Sequence, residues 1–129
     1  CIDDSWPEWE GYIITIIAAE NGHIECLKSA HKNGYKWDER TCSTAAEYGH
    51  LECLQYAREN GCEWDARTCA FAAMRGHLEC LRYAHENGCK LHSACAVFAA
   101  RKGHLECLIY AHKNGCKCKC SEIKNMTNP

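Results

Sequence analysis

The stretch from Gly76 to Cys89 reads Gly-His-Leu-Glu-Cys-Leu-Arg-Tyr-Ala-His-Glu-Asn-Gly-Cys, and it returns with few changes three more times along the chain. Its opening Gly-His recurs at Gly22-His23, Gly49-His50 and Gly103-His104, each 27 residues from the next. A fixed period in this range is the signature of a stacked repeat architecture. Four copies fill residues 11–118, as units 11–37, 38–64, 65–91 and 92–118.

Each unit predicts two short helices. Asp38 and Asp65 are the expected N-caps of the first, because a short side-chain oxygen accepts an unpaired N–H of the opening turn. Cys42, Ala45 and Ala46, then Cys69, Ala72 and Ala73, give that helix a small apolar face, and Gly49 and Gly76 break it. In the second helix Leu51, Leu54 and Ala57 recur at three-residue spacing beside Cys53 and Tyr56, and again as Leu78, Cys80, Leu81, Tyr83 and Ala84. Asn33-Gly34, Asn60-Gly61, Asn87-Gly88 and Asn114-Gly115 close it, since both residue types tolerate the left-handed conformation that ends a helix. A hairpin this small cannot bury its own apolar stripe. The predicted fold is therefore an all-α solenoid of four stacked helix-turn-helix repeats, with contacts mainly between neighbours.

Composition agrees with one compact domain. The 129 residues are 47% hydrophobic and 25% charged with a net charge of −2, which excludes a strongly basic nucleic-acid binder. No run approaches the roughly 18 apolar residues of a spanning helix, and no basic stretch precedes an apolar one at the N-terminus. A soluble, intracellular, cytoplasmic protein without membrane or nucleic-acid partners is expected. The opening at Cys1 suggests a piece of a longer polypeptide, with residues 1–10 as a linker or lid.

Thirteen cysteines invite metal and disulfide readings. Equivalent positions in stacked repeats lie about 10 Å apart, beyond the roughly 7 Å a disulfide spans. Cys26, Cys53, Cys80 and Cys107 are thus expected as reduced thiols in the core. His23, His50, His77 and His104 each precede a cysteine by three residues but cannot share one metal; each imidazole is expected to bridge its hairpin turn and the next unit. The fourth unit departs from the pattern with Cys89, His92 and Cys95, followed by Cys116, Cys118 and Cys120. Cys89, His92, Cys95 and Cys120 form the candidate soft-metal set. Cys89 and Cys116 merely occupy the repeat position of Cys62, however, and Cys118 that of Trp37, Trp64 and Leu91. Reactive surface thiols without metal are the expected outcome, and no cofactor is called for.

No phosphate loop, nucleophile elbow or His-Glu-x-x-His is present. The recurring Glu25, Glu52, Glu79 and Glu106 fall in the first turn of each second helix, where they favour the helix dipole. The chain reads as non-enzymatic.

Thr41-Cys42 through Ala45-Ala46, Gly49-His50-Leu51-Glu52 and Asn60-Gly61 resemble the ankyrin repeat, over all four units. The wording is similar to short ankyrin-type repeats of giant DNA viruses and protists, which would put the protein in a host cytoplasm. The ankyrin unit runs about 33 residues, six more than here. The deficit falls between Trp37 or Trp64 and the next helix, so the family's β-hairpin fingers are expected to be shortened or absent. The resemblance implies protein–protein recognition on the concave face of the first helices, and use as a substrate-recruiting scaffold, such as part of a ubiquitin-ligase adaptor.

Within one chain, the positions that vary are informative. Just before each Gly-His stand Glu20-Asn21, Glu47-Tyr48, Met74-Arg75 and Arg101-Lys102, which the resemblance assigns to the concave binding surface. Residues 1–64 hold 5 Lys/Arg and 12 Asp/Glu, against 10 and 5 in residues 65–129. A partner with acidic groups opposite the C-terminal repeats is expected, and such a rod can also meet its own copies head to tail. The alternative is a structural subunit packed through an apolar N-terminal face of Ile13 and Ile14, with Trp6 and Trp9 as a lid. A metal or redox module near the C-terminus is a distant third. Residues 119–129 are the expected cap, with a fifth first helix starting near Ser121.

Overall fold

A computed structural model describes residues 11–116, and these form eight α-helices: α1 (Gly11–Asn21), α2 (Ile24–Lys32), α3 (Glu39–Glu47), α4 (Leu51–Glu59), α5 (Ala66–Arg75), α6 (Leu78–Glu86), α7 (Ser93–Lys102) and α8 (Leu105–Lys113). They pair into four hairpins. The expected N-terminal lid with Trp6 and Trp9, the C-terminal cap, Cys118 and Cys120 lie outside the described residues. Successive hairpins stack in two rows, α1, α3, α5 and α7 in one and α2, α4, α6 and α8 in the other. Among the described residues there is no strand, and six residues link each hairpin to the next where the fingers would stand.

The rows pack through small residues facing large ones. Ala18 and Ala19, Ala45 and Ala46, and Ala72 and Ala73 are buried along the first row, which lets those helices approach closely. Leu27, Leu54, Leu81 and Leu108 fill the space beside them and are essentially inaccessible. Burying each leucine contributes roughly 1.5–3 kcal/mol. Neighbours supply most of each hairpin's cover, as repeat stacking requires.

Capping follows the aspartates. Asp38 accepts from the Arg40 backbone N–H at 2.9 Å and Asp65 from that of Arg67 at 2.9 Å. The same arginines fold their guanidinium groups back onto these carboxylates, at 2.9 and 2.8 Å. The Arg67 guanidinium holds the Asp65 carboxyl below its ordinary range. In the fourth hairpin His92 takes the extended N-cap conformation, but its side chain accepts no capping bond.

One local expectation is refined and one is corrected. Only the glycines of the Asn-Gly pairs turn left-handed; the asparagines keep negative φ. Their amides donate instead to the carbonyl four residues back, Asn60 to Tyr56 and Asn87 to Tyr83 at 2.8 Å, so the asparagine satisfies a helix-end acceptor and leaves the reversal to glycine. The histidines also reach backward, not forward. His50 Nε2–H donates to the Glu20 carbonyl of the preceding hairpin at 3.0 Å, with its ring over Gly22. His77 lies likewise over Gly49, and His104 over Gly76. Burial, reinforced by His50 and His104, lowers the pKa of His77.

Candidate functional site

The variable pairs occupy the ends of the first helices, where the chain turns into each Gly-His. Glu20, Asn21, Tyr48, Arg75, Arg101 and Lys102 are exposed, while Glu47 and Met74 are half-buried. Stacking brings the second member of one pair beside the first member of the pair before it. Arg75 thus meets Glu47 across the α3–α5 junction at 3.2 Å. One hairpin further on, the same relation sets Lys102 near Met74: Met74, Arg75, Lys102 and His104 line one depression of about 340 Å³. Two cations and an imidazole around a methionine side chain suit an acidic group carried on an apolar stem. Arg101 is exposed beside this depression and does not line it.

The C-terminal cysteines assemble differently from the expectation. Cys89 and Cys116 are buried, as their repeat position implies, and Cys95 is buried as well, so the reading of reactive surface thiols is corrected for the described members of the cluster. Cys89 Sγ donates to the Asp65 carbonyl at 3.2 Å and Cys116 Sγ to the His92 carbonyl at 3.2 Å, tying the end of a hairpin to its start. Burial pushes the Cys95 thiol up to about 12, whereas thiol reactivity follows the thiolate. His92 is exposed. Among the described residues no three His, Cys, Asp or Glu side chains stand together as a metal site; Cys120 lies outside them.

Cys53, Cys80 and Cys107 are buried free thiols, raised by burial to about 11, 12 and 11. Cys26 is the exception and corrects the expectation of a reduced thiol: it is disulfide-bonded. It is half-buried at the first hairpin, while its counterparts are sealed by neighbours on both sides or by the hairpin before them.

A second feature escaped the sequence reading. His31 stacks on Trp37 with ring centroids 4.2 Å apart, and Tyr56 of the next hairpin meets Trp37 edge-on at 6.1 Å. Arg58 then lies 4.4 Å over Trp64, which Tyr83 meets edge-on. At the next step Leu91 replaces tryptophan, and His85 Nδ1 pairs directly with the Tyr110 hydroxyl at 2.9 Å. The signal was present in the 27-residue recurrence of Tyr56, Tyr83 and Tyr110, but periodicity alone does not say which position of the next copy a ring touches. The ladder borders a depression of about 450 Å³ lined by Trp64, Asp65, Lys90 and His92 among others. It braces the hairpin junctions opposite the variable strip.

Stacked hairpins with repeating cores and a strip of non-repeating surface residues define a helical-repeat solenoid. A family model for ankyrin repeats, in three copies, matches residues 15–94, and the chain belongs to the ankyrin-repeat family. No curated protein matches it. Ankyrin repeats are generally protein–protein interaction modules and typically non-enzymatic. Among the described residues no helix is long and apolar enough to cross a membrane.

Proposed function

We propose that this chain recognises a partner protein through the strip formed by Glu20, Asn21, Glu47, Tyr48, Met74, Arg75, Arg101 and Lys102, on the concave side that the family uses. The observation carrying this reading is the depression where Met74 and Arg75 of one hairpin converge with Lys102 and His104 of the next. The partner offers acidic groups to the third and fourth hairpins, with Tyr48 as the aromatic anchor, since buried aromatics dominate interface energetics and rim charges set the encounter rate. The chain performs no chemistry of its own and serves as the recruiting part of a larger scaffold in the cytoplasm.

The immobilised protein, exposed to a lysate of its native cells and read by quantitative mass spectrometry, tests this. The wild type and an exposed control, Glu59→Lys, retain a common protein that Arg101→Glu with Lys102→Glu loses. Equal recovery by the double variant excludes the strip. A second reading, a structural subunit held through its N-terminal face, is favoured by Ile13, 48% exposed on α1 beside Ile17 at 49%; Ile14, the other residue expected on that face, is instead buried in the core.

A further inference from the structure

The three internal junctions of the stack each set one residue of the variable strip against another, and the three differ in charge. Between the second and third hairpins Arg75 meets Glu47 at 3.2 Å, a complete ion pair. Between the first and second, the same two positions hold Tyr48 and Glu20. His50, two residues beyond Tyr48, donates to the Glu20 carbonyl at 3.0 Å and so fixes these helix ends against each other. Glu20 is exposed and Tyr48 is 42% exposed, and among the described residues the Glu20 carboxylate has no ion-pair partner. Between the third and fourth, the positions hold Lys102 and Met74, which line the depression with Arg75 and His104. Lys102 is exposed and, among the described residues, has no carboxylate beside it.

The middle junction is a template for the outer two. Where Tyr48 replaces the arginine, a cation is missing; where Met74 replaces the glutamate, a carboxylate is missing. A cation supplied at Glu20 lies against both a carboxylate and the face of the Tyr48 ring, each of which attracts it. A carboxylate supplied at Lys102 also reaches Arg75, whose guanidinium spends one Nη2 bond on Glu47 and keeps further N–H donors. Methionine has nearly the length of glutamate without its charge, so Met74 offers the incoming stem an apolar surface.

The outer junctions stand two hairpins apart, or about 20 Å at about 10 Å per hairpin. An extended chain advances about 3.3 Å per residue and returns its side chains to one face at every second residue. Side chains six residues apart therefore span the distance and point the same way. A helix is about 10–12 Å wide and needs about thirteen residues for the same span. Six-residue linkers stand where fingers would wall the strip, so a single row of side chains suits the narrower occupant.

We infer that the strip, taken as the recognition face proposed above, binds an extended segment of its partner that carries a basic residue and, six residues away, an acidic one. The basic side chain lies at Glu20 and Tyr48, the acidic one at Lys102, Arg75 and Met74. The ion pair of Arg75 with Glu47 between them is already complete and faces uncharged residues of the segment.

Fluorescence anisotropy of a dye-labelled nine-residue peptide, serine and threonine except for arginine in the second place and glutamate in the eighth, tests this on the 129-residue protein. The peptide binds at about 50 mM salt, where screening is weak. Glutamine in place of either charge weakens it about threefold to tenfold, the range for an exposed charge contact backed by an aromatic face or a second cation. Moving the glutamate to three residues from the arginine weakens it as much, because the two side chains then face opposite ways. Charge reversal identifies the pairs. Glu20→Lys loses the peptide and regains it when the arginine is replaced by glutamate; Lys102→Glu loses it and regains it when the glutamate is replaced by lysine. Met74→Glu supplies the missing carboxylate from within, as Glu47 does for Arg75, and lowers the affinity without lowering the melting temperature.

No binding, equal binding of the peptide and its glutamine forms, or failure of either rescue overturns the inference. If Arg101→Glu with Lys102→Glu nevertheless loses its protein from the lysate, the strip stands and only the charge pairing falls. If the lysate experiment fails too, the strip falls with it.

Discussion

Thr41 and Thr68 hold the same position in successive hairpins, yet their hydroxyls fare differently. Thr41 donates to the Thr15 hydroxyl of the preceding hairpin at 3.3 Å. One step on, the position of Thr15 belongs to Cys42, and the buried Thr68 hydroxyl has no hydrogen-bond partner among the described residues. Leaving a buried hydroxyl unpaired costs on the order of 1–3 kcal/mol, whereas an apolar group of the same shape incurs no such penalty. Thr68→Val is therefore expected to raise stability by about 1 kcal/mol in urea unfolding, and a loss would mean that the hydroxyl is satisfied. His92 is the complementary defect, an N-cap in extended conformation that makes no side-chain capping bond. His92→Asp restores the bond made by Asp38 and Asp65 and should add about 0.5–1 kcal/mol in the same measurement. His92 was visible in the sequence as a departure between copies, and the Thr68 site only through the change from Thr15 to Cys42 at the position it faces. Their energetic meaning was not, because it depends on which residue of the neighbouring copy each one meets.

At the scale of the hairpin, the Gly-His turn does two jobs at once. Gly49 has a φ of +77° and also lies under His77, whereas Gly61 has a φ of +89° with open space where a Cβ would go. The left-handed conformation costs a non-glycine residue about 1–2 kcal/mol. Gly61→Ala should lose about that much and Gly49→Ala clearly more, since it also dislodges the imidazole; equal losses in thermal unfolding would show that the histidine seat contributes nothing. The same seat makes the junction sensitive to acid. The folded pKa of His77 lies below its unfolded value near 6.5, so the unfolded chain binds the extra proton first. Stability is full above that pH and falls as pH drops through the unfolded value toward the folded one. His77→Gln should flatten the decline in stability between about pH 7 and pH 5, and an unchanged slope would assign the sensitivity elsewhere. Repeats made these turns legible, along with both helices and the aspartate caps. The backward reach of the histidines and the amide bonds of the asparagines were hidden, because a period identifies equivalent positions without saying which neighbour they touch.

For the whole molecule, order along the chain becomes order in space, which is why the solenoid and its buried leucines could be read directly from the 27-residue period. The disulfide at Cys26 could not, since the spacing argument covers only equivalent positions in adjacent units. The charge distribution needs one refinement. Residues 11–37 hold 3 Lys/Arg and 2 Asp/Glu and residues 38–64 hold 2 and 6, so within the stack the acidity centres on the second hairpin. Glu47 and Tyr48 belong to that hairpin, and Arg101 and Lys102 to the fourth, giving the strip its polarity. The candidate strip was legible as variation among copies; its lateral pairing, Arg75 with Glu47 and Lys102 beside Met74, emerged only from stacking. The central claim is that this strip meets an acidic partner. Its most direct test is the association rate of the recovered partner with wild type and with Arg101→Glu, Lys102→Glu across a salt series. The variant is expected to associate more slowly and with a flatter salt dependence, its stability altered by no more than about 0.5 kcal/mol. The same rate and the same salt slope in both proteins would contradict it.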